Sequence, residues 1–122
     1  MSSEYKDLAV WQRAMDLVQD VYRCTRGFPR EEVFGLISQM RRASVSVPSN
    51  IAEGKGRYSR KELIQFLYKA RGSLMELETQ IDIAHRLAYL DAASSEFLTL
   101  QTLQVAKLLN GLINRFQQEV QR

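Results

Sequence analysis

Apolar residues recur along the chain at steps of three and four, and no stretch alternates with a period of two. The pattern predicts helices throughout and no strands. Over 8–26, Val10, Ala14, Leu17, Val21 and Cys24 make one apolar row and Trp11, Val18 and Tyr22 a second, with Asp7 placed to cap the start and Gly27 to stop the end. A second helix is expected over 30–53. Pro29 stands where a first turn tolerates proline, Glu31 and Glu32 lie near the positive end of the dipole, and Val33, Leu36, Ile37, Met40, Ala43, Val47 and Ile51 supply the buried face. Pro48 removes a rung from its hydrogen-bond ladder, so a kink is expected near Ser44, with the nearby serines and Asn50 bonding the freed carbonyls.

Ser59-Arg60-Lys61-Glu62 reads as a capping box that opens a third helix over 60–90. Leu63, Leu67, Ala70, Leu74, Leu77, Ile81, Ala84 and Ala88 then repeat at steps of four and three, a heptad seam. Asp91, Ser94 or Ser95 caps a fourth helix over 95–120, whose apolar residues are Phe97, Leu100, Leu103, Leu108, Leu109, Leu112, Ile113, Phe116 and Val120. Four amphipathic helices with short connections predict an all-α fold: one domain over 1–122, an up-down-up-down antiparallel four-helix bundle. The first and fourth helices carry more apolar surface than one seam inside a bundle occupies, which implies a partner, here a further copy of the chain.

The 122 residues suffice for one core without disulfides or metals, and 45% hydrophobic with 25% charged residues is the balance of a soluble globular protein. No apolar run nears the ~18 residues of a spanning helix, the polar start Met1-Ser2-Ser3-Glu4 lacks the form of a signal peptide, and Cys24 is the single cysteine. Together these predict a cytoplasmic protein. A net charge of +3 is too small to imply nucleic-acid binding by itself, so the distribution of charge has to decide.

Catalytic chemistry finds few residues to work with. His85 is the only histidine, with Asp82 one turn before it to orient the ring, and there is no second histidine or cysteine for zinc and no paired Glu-x-x-His for a di-iron site. Cys24 lies on an apolar row, as a small core residue does. Gly54-Lys55-Gly56 lacks the spacing of a phosphate loop. No cofactor, metal or enzymatic activity is expected. The basic stretch is more informative: Arg41, Arg42, Lys55, Arg57, Arg60 and Lys61 stand against Glu53 and Glu62, with Tyr58 in the densest part. Cations with an interleaved aromatic suit single-stranded nucleic acid, because phosphates need charge and unstacked bases need a flat partner. The competing reading is a solvated helix–loop–helix corner.

Several strings resemble a known family. Leu8-Ala9-Val10-Trp11-Gln12-Arg13-Ala14, Phe28-Pro29, Phe34-Gly35-Leu36, Gln39-Met40-Arg41-Arg42-Ala43 and Ser46-Val47-Pro48-Ser49-Asn50-Ile51-Ala52-Glu53-Gly54 look like the small four-helix-bundle proteins encoded in intervening sequences of bacterial large-subunit ribosomal RNA genes. Ala70-Arg71-Gly72-Ser73 and Glu76-Leu77-Glu78 extend the likeness. The resemblance implies a ribosomal-protein-like label and a relation to the accessory variability determinant of diversity-generating retroelements, a homopentameric basic bundle that binds nucleic acid and partners a reverse transcriptase. Carried over, it implies a pentameric ring that binds RNA or DNA through a basic surface of Arg41, Arg42, Lys55, Arg57, Arg60 and Lys61, with a reverse transcriptase as a protein partner; Tyr58 joins these residues from the reading of the basic stretch itself. A purely structural protein–protein interaction module is the alternative.

Overall fold

The computed structural model describes residues 4–121. Four α-helices, α1 (Ala9–Thr25), α2 (Leu36–Lys55), α3 (Arg60–Arg86) and α4 (Ala92–Gln121), account for most of them, with 3-10 turns at Glu4–Asp7 and Arg30–Glu32. No strand occurs among the described residues. Each helix packs against its neighbours in sequence and α4 closes against α1, so the four surround one core as an antiparallel four-helix bundle. The α2–α3 pair shares the most extensive packing.

The seam on α3 explains that pairing. Leu63, Leu67, Ala70, Leu74, Leu77, Ile81 and Ala84 are all buried, facing Met40, Val47 and Ile51 of α2 within a shared core. Gly54 permits a close approach, since a Cβ there would lie 2.9 Å from Phe66 Cβ and 3.0 Å from Leu63 Cδ1. Ser59 starts α3 by accepting from the Glu62 amide at 3.1 Å. The other half of the expected box differs: the Glu62 carboxylate faces the Ser59 hydroxyl at 3.5 Å.

Helix ends depart from expectation for local reasons. The N-cap of α1 is Leu8, with no side-chain cap, rather than Asp7, which belongs to the preceding 3-10 turn. The second helix does not start at 30. Pro29 is extended, Arg30–Glu32 makes a 3-10 turn, and α2 begins only after Gly35, where Glu32 Oε1 accepts from the Leu36 amide at 3.0 Å. Val33 is therefore exposed rather than part of the core face. α3 stops at Arg86, short of 90, because Ala88 adopts φ 64° and the chain closes with Ala88 N–H donating to His85 O (3.0 Å) and Tyr89 N–H to Ala84 O (2.9 Å). This is a Schellman closure with alanine in the place that favours glycine. Asp91 caps α4, its Oδ1 accepting from the Ser94 amide at 2.7 Å, so α4 starts three residues before 95.

α2 runs unbroken from Leu36 to Lys55 with Pro48 inside it, and Val47, Pro48 and Ile51 are all buried. The polar side chains do not take the role expected of them. Proline frees the Ser44 carbonyl, yet Ser44 Oγ donates to Arg41 O (2.8 Å) and Asn50 Nδ2 donates to Ser46 O (2.8 Å). Ser46 and Ser73 share a hydroxyl contact of 2.8 Å that joins α2 to α3. On α4 the core face is Leu98, Thr102, Val105, Leu109, Ile113 and Phe116. Phe97, Leu100, Leu103 and Leu108 are exposed, so α4 carries apolar surface beyond the face it turns to the core.

Candidate nucleic-acid interface

The α2–α3 corner places the sequence-predicted cations around a short, tight connection. After Gly54 the chain turns with Gly56 N–H donating to Glu53 O and Arg57 N–H to Gly54 O, each at 3.1 Å, and Ser59 then caps α3. These bonds hold residues 56–59 on the outside of the bundle, and Tyr58 is fully exposed.

The neighbouring cations are of two kinds. Arg57 pairs with Glu53 Oε1 at 2.9 Å and lies 4.5 Å over the Phe66 ring; Arg60 pairs with Glu119 Oε1 at 3.1 Å and lies 4.6 Å over Phe116. Lys55 Nζ sits 5.7 Å from the same Phe116 ring. Lys61 is exposed, with no ion pair among the described residues. Solvent-exposed pairs of this kind contribute about 0–1 kcal/mol each, so a phosphate can replace the carboxylate partner of Arg57 or Arg60 at small cost. The structure adds two cations that sequence reading missed: Arg115, 5.0 Å over Phe116, and Lys69, 4.4 Å over Phe66. Lys69 lies two turns beyond Lys61 on α3 and was visible in principle; Arg115 joins only once the face of α4 is known.

Arg41 and Arg42 lie elsewhere. Arg42 and Lys55 are thirteen helical steps apart on α2, roughly 20 Å at ~1.5 Å per residue, so these arginines border the α1–α2 connection at the other end of the helix. Arg41 is committed to the fold: Nε donates to Thr25 Oγ1 (2.9 Å), Nη2 to Tyr22 O (3.4 Å), and the guanidinium lies 4.5 Å over the Tyr22 ring. A cation thereby closes the negative end of α1. Arg42 is exposed and lines a cleft beside that connection.

The remaining titratable groups serve structure. Asp82 pairs with Arg86 at 3.2 Å rather than orienting His85, whose Nδ1 lies 3.2 Å from Leu90 O. Burial pushes the Cys24 thiol up, away from a reactive thiolate. No cluster of His, Cys, Asp and Glu among the described residues is arranged to hold a metal, and none of the described helices is long and apolar enough to cross a membrane.

The arrangement is that of an all-α four-helix bundle with a cationic, aromatic-tipped corner. A family model described as 23S rRNA-intervening sequence protein matches residues 6–111, and the chain belongs to that family. In three dimensions it is similar to a crystal structure of a protein of unknown function from the S23 ribosomal protein family of Bacteroides thetaiotaomicron. The TM-score is 0.78 at 21% identity, covering 86% of this chain and 98% of that one. That likeness carries the fold. None of the curated proteins matches the chain.

Proposed function

We propose that this protein is a non-catalytic nucleic-acid-binding protein that acts as a homo-oligomeric ring, with the α2–α3 corner as its contact surface. Tyr58 carries the reading. Its ring is fully exposed, so it buries no apolar area at home, and it stands between Arg57 and Arg60 with Lys61 one residue further. A base stacked on such a ring gains about 1–3 kcal/mol, whatever its identity, while adjacent cations hold the backbone. A ring repeats the corner around its axis, so individually weak contacts act together. Five protomers is the number the family resemblance suggests. The strip of Phe97, Leu100, Leu103 and Leu108 on α4 supplies apolar surface for the contact between copies. That same strip favours the second reading, an interaction module for a different protein.

Fluorescence anisotropy with labelled single-stranded RNA and DNA at two salt concentrations tests the proposal. Binding that weakens steeply with salt supports it. Absence of binding at low salt, with oligomerisation intact, leaves the protein-interaction reading.

A further inference from the structure

The end of the bundle opposite the Tyr58 corner holds a second basic feature that no sequence cluster announces. A cleft of about 580 Å³ opens between the last turn of α1, the α1–α2 connection and the first turns of α2. Arg26, Arg30, Arg41 and Arg42 all line it, and among the described residues no aspartate or glutamate does. Arg26, Arg30 and Arg42 form no ion pair or side-chain hydrogen bond among the described residues. Glu31, next to Arg30 along the chain, does not line the cleft, and both oxygens of Glu32 are bonded, one by the Leu36 amide and one by the Tyr89 hydroxyl. Four of the chain's 17 Lys and Arg thus share one concavity.

We propose that this cleft binds a phosphate monoester of mononucleotide size through Arg26, Arg30 and Arg42, with Arg41 as the fixed wall behind them. Like charges gathered without a counter-charge repel one another, and a dianion relieves that repulsion at all of them together. Guanidinium groups match it in shape as well as charge, because their planar forks donate in pairs to phosphate oxygens. Arg41 is already held by Thr25 and Tyr22, which gives the site one cation whose position costs no ordering on binding. The volume argues for more than inorganic phosphate, lying within the roughly 300–1,000 Å³ of small-molecule sites. Val33, Ile37 and Phe28 add an apolar share of the wall for the group the phosphate is attached to. A free nucleotide and the terminal nucleotide of a strand both present this chemistry. The site is separate from the Tyr58 corner and does not depend on that reading.

Isothermal titration calorimetry decides, using adenosine 5′-monophosphate, adenosine, and a short oligoribonucleotide bearing either a 5′-phosphate or a 5′-hydroxyl. The monophosphate or the 5′-phosphorylated strand should bind at least about tenfold more tightly than its unphosphorylated counterpart. Equal affinity for the free nucleotide and the phosphorylated strand identifies a nucleotide site; binding of the phosphorylated strand alone identifies a strand-end site. Replacing Arg26, Arg30 and Arg42 together by Gln should weaken binding of the monophosphate at least about tenfold and abolish the strand's preference for a 5′-phosphate, with an unchanged melting temperature, and Tyr58→Ala should leave the monophosphate's affinity and that preference unaltered. Three results would overturn the proposal: no discrimination between phosphorylated and unphosphorylated probes, no binding of either phosphorylated probe, or a phosphate preference that survives the triple substitution in a folded protein.

Discussion

Tyr89 donates its hydroxyl to Glu32 Oε2 at 2.8 Å, which ties the α3–α4 loop to the start of α2 across 57 residues of sequence. The other Glu32 oxygen caps α2, and the Tyr89 ring packs on Phe28 with centroids 5.4 Å apart. One carboxylate thus joins a helix start, a loop and a core aromatic.

Acid should loosen this junction. The Leu36 amide, and after it the Tyr89 hydroxyl, hold the Glu32 carboxyl below its ordinary value, and the Ser94 amide and hydroxyl do the same for Asp91. A depressed folded-state value means that the stabilisation is present above the unfolded-state value and is lost as pH falls through the folded one. Urea midpoints measured from about pH 7 down to about pH 3 should fall, and fall less in Glu32→Gln, which cannot gain that proton. Tyr89, raised above its ordinary value chiefly by the bond to Glu32, stabilises the fold below the unfolded tyrosine value and ceases to as pH rises through the folded one. Tyr89→Phe should remove this alkaline contribution.

Two glycines should respond to alanine with opposite signs. At Gly54 the new methyl meets Phe66 Cβ at 2.9 Å and Leu63 O at 3.3 Å, on the face where α2 packs against α3. The expected cost is about 1–3 kcal/mol from overpacking. Gly111 lies exposed within α4, with nothing within 4 Å of an added Cβ. There the lower backbone entropy of the unfolded chain dominates, and Gly111→Ala should stabilise by about 0.5–1 kcal/mol. Denaturant titration of both variants checks the pair; a neutral Gly54→Ala would show that the helices can move apart freely.

Much of the fold was legible because α3 keeps one unbroken heptad spacing of apolar residues. Its seam from Leu63 to Ala84 is buried throughout, and Ser59 caps it. α4 was harder, since apolar residues surround most of it and periodicity does not say which stripe faces the bundle. Leu98, Thr102 and Val105 face inward while Phe97, Leu100 and Leu103 do not, and a buried threonine is satisfied only through its own helix, Thr102 Oγ1 donating to Leu98 O at 2.7 Å. The basic residues show the same division. Tyr58 and its neighbours are adjacent in sequence and adjacent in space. Arg26 and Arg30 meet Arg41 and Arg42 only because the α1–α2 connection folds back, and Arg60 finds Glu119 from the far end of the chain.

The outward stripe on α4 leads to a prediction about assembly. Leu100 and Leu103 are about half exposed, at 54% and 47%, and a contact between copies should cover them. Light scattering after size exclusion should give a multiple of the 14.1 kDa protomer mass, five by the family resemblance. Leu100→Lys with Leu103→Lys should reduce that mass while helical content is kept, because neither residue is in the core. A protomer mass for the unsubstituted protein at micromolar concentration removes the ring.

Tyr58 and Lys61 allow stacking to be separated from charge. Tyr58→Ala should change stability by less than about 0.5 kcal/mol, since the ring buries nothing. Single-stranded binding should nevertheless weaken by roughly 1–3 kcal/mol for each base that stacks on it, with no change in the slope of log affinity against log salt, because stacking releases no counterions. Lys61→Gln should do the reverse. It should lower affinity mainly at low salt and flatten the slope by about 0.7 for each protomer in contact with the strand. Arg57→Gln and Arg60→Gln should act as Lys61→Gln does but more weakly, because each wild-type arginine must first give up Glu53 or Glu119. Anisotropy titrations over a series of salt concentrations read both quantities at once. Unchanged affinity in Tyr58→Ala together with an unchanged slope in Lys61→Gln would place nucleic-acid contact away from this corner.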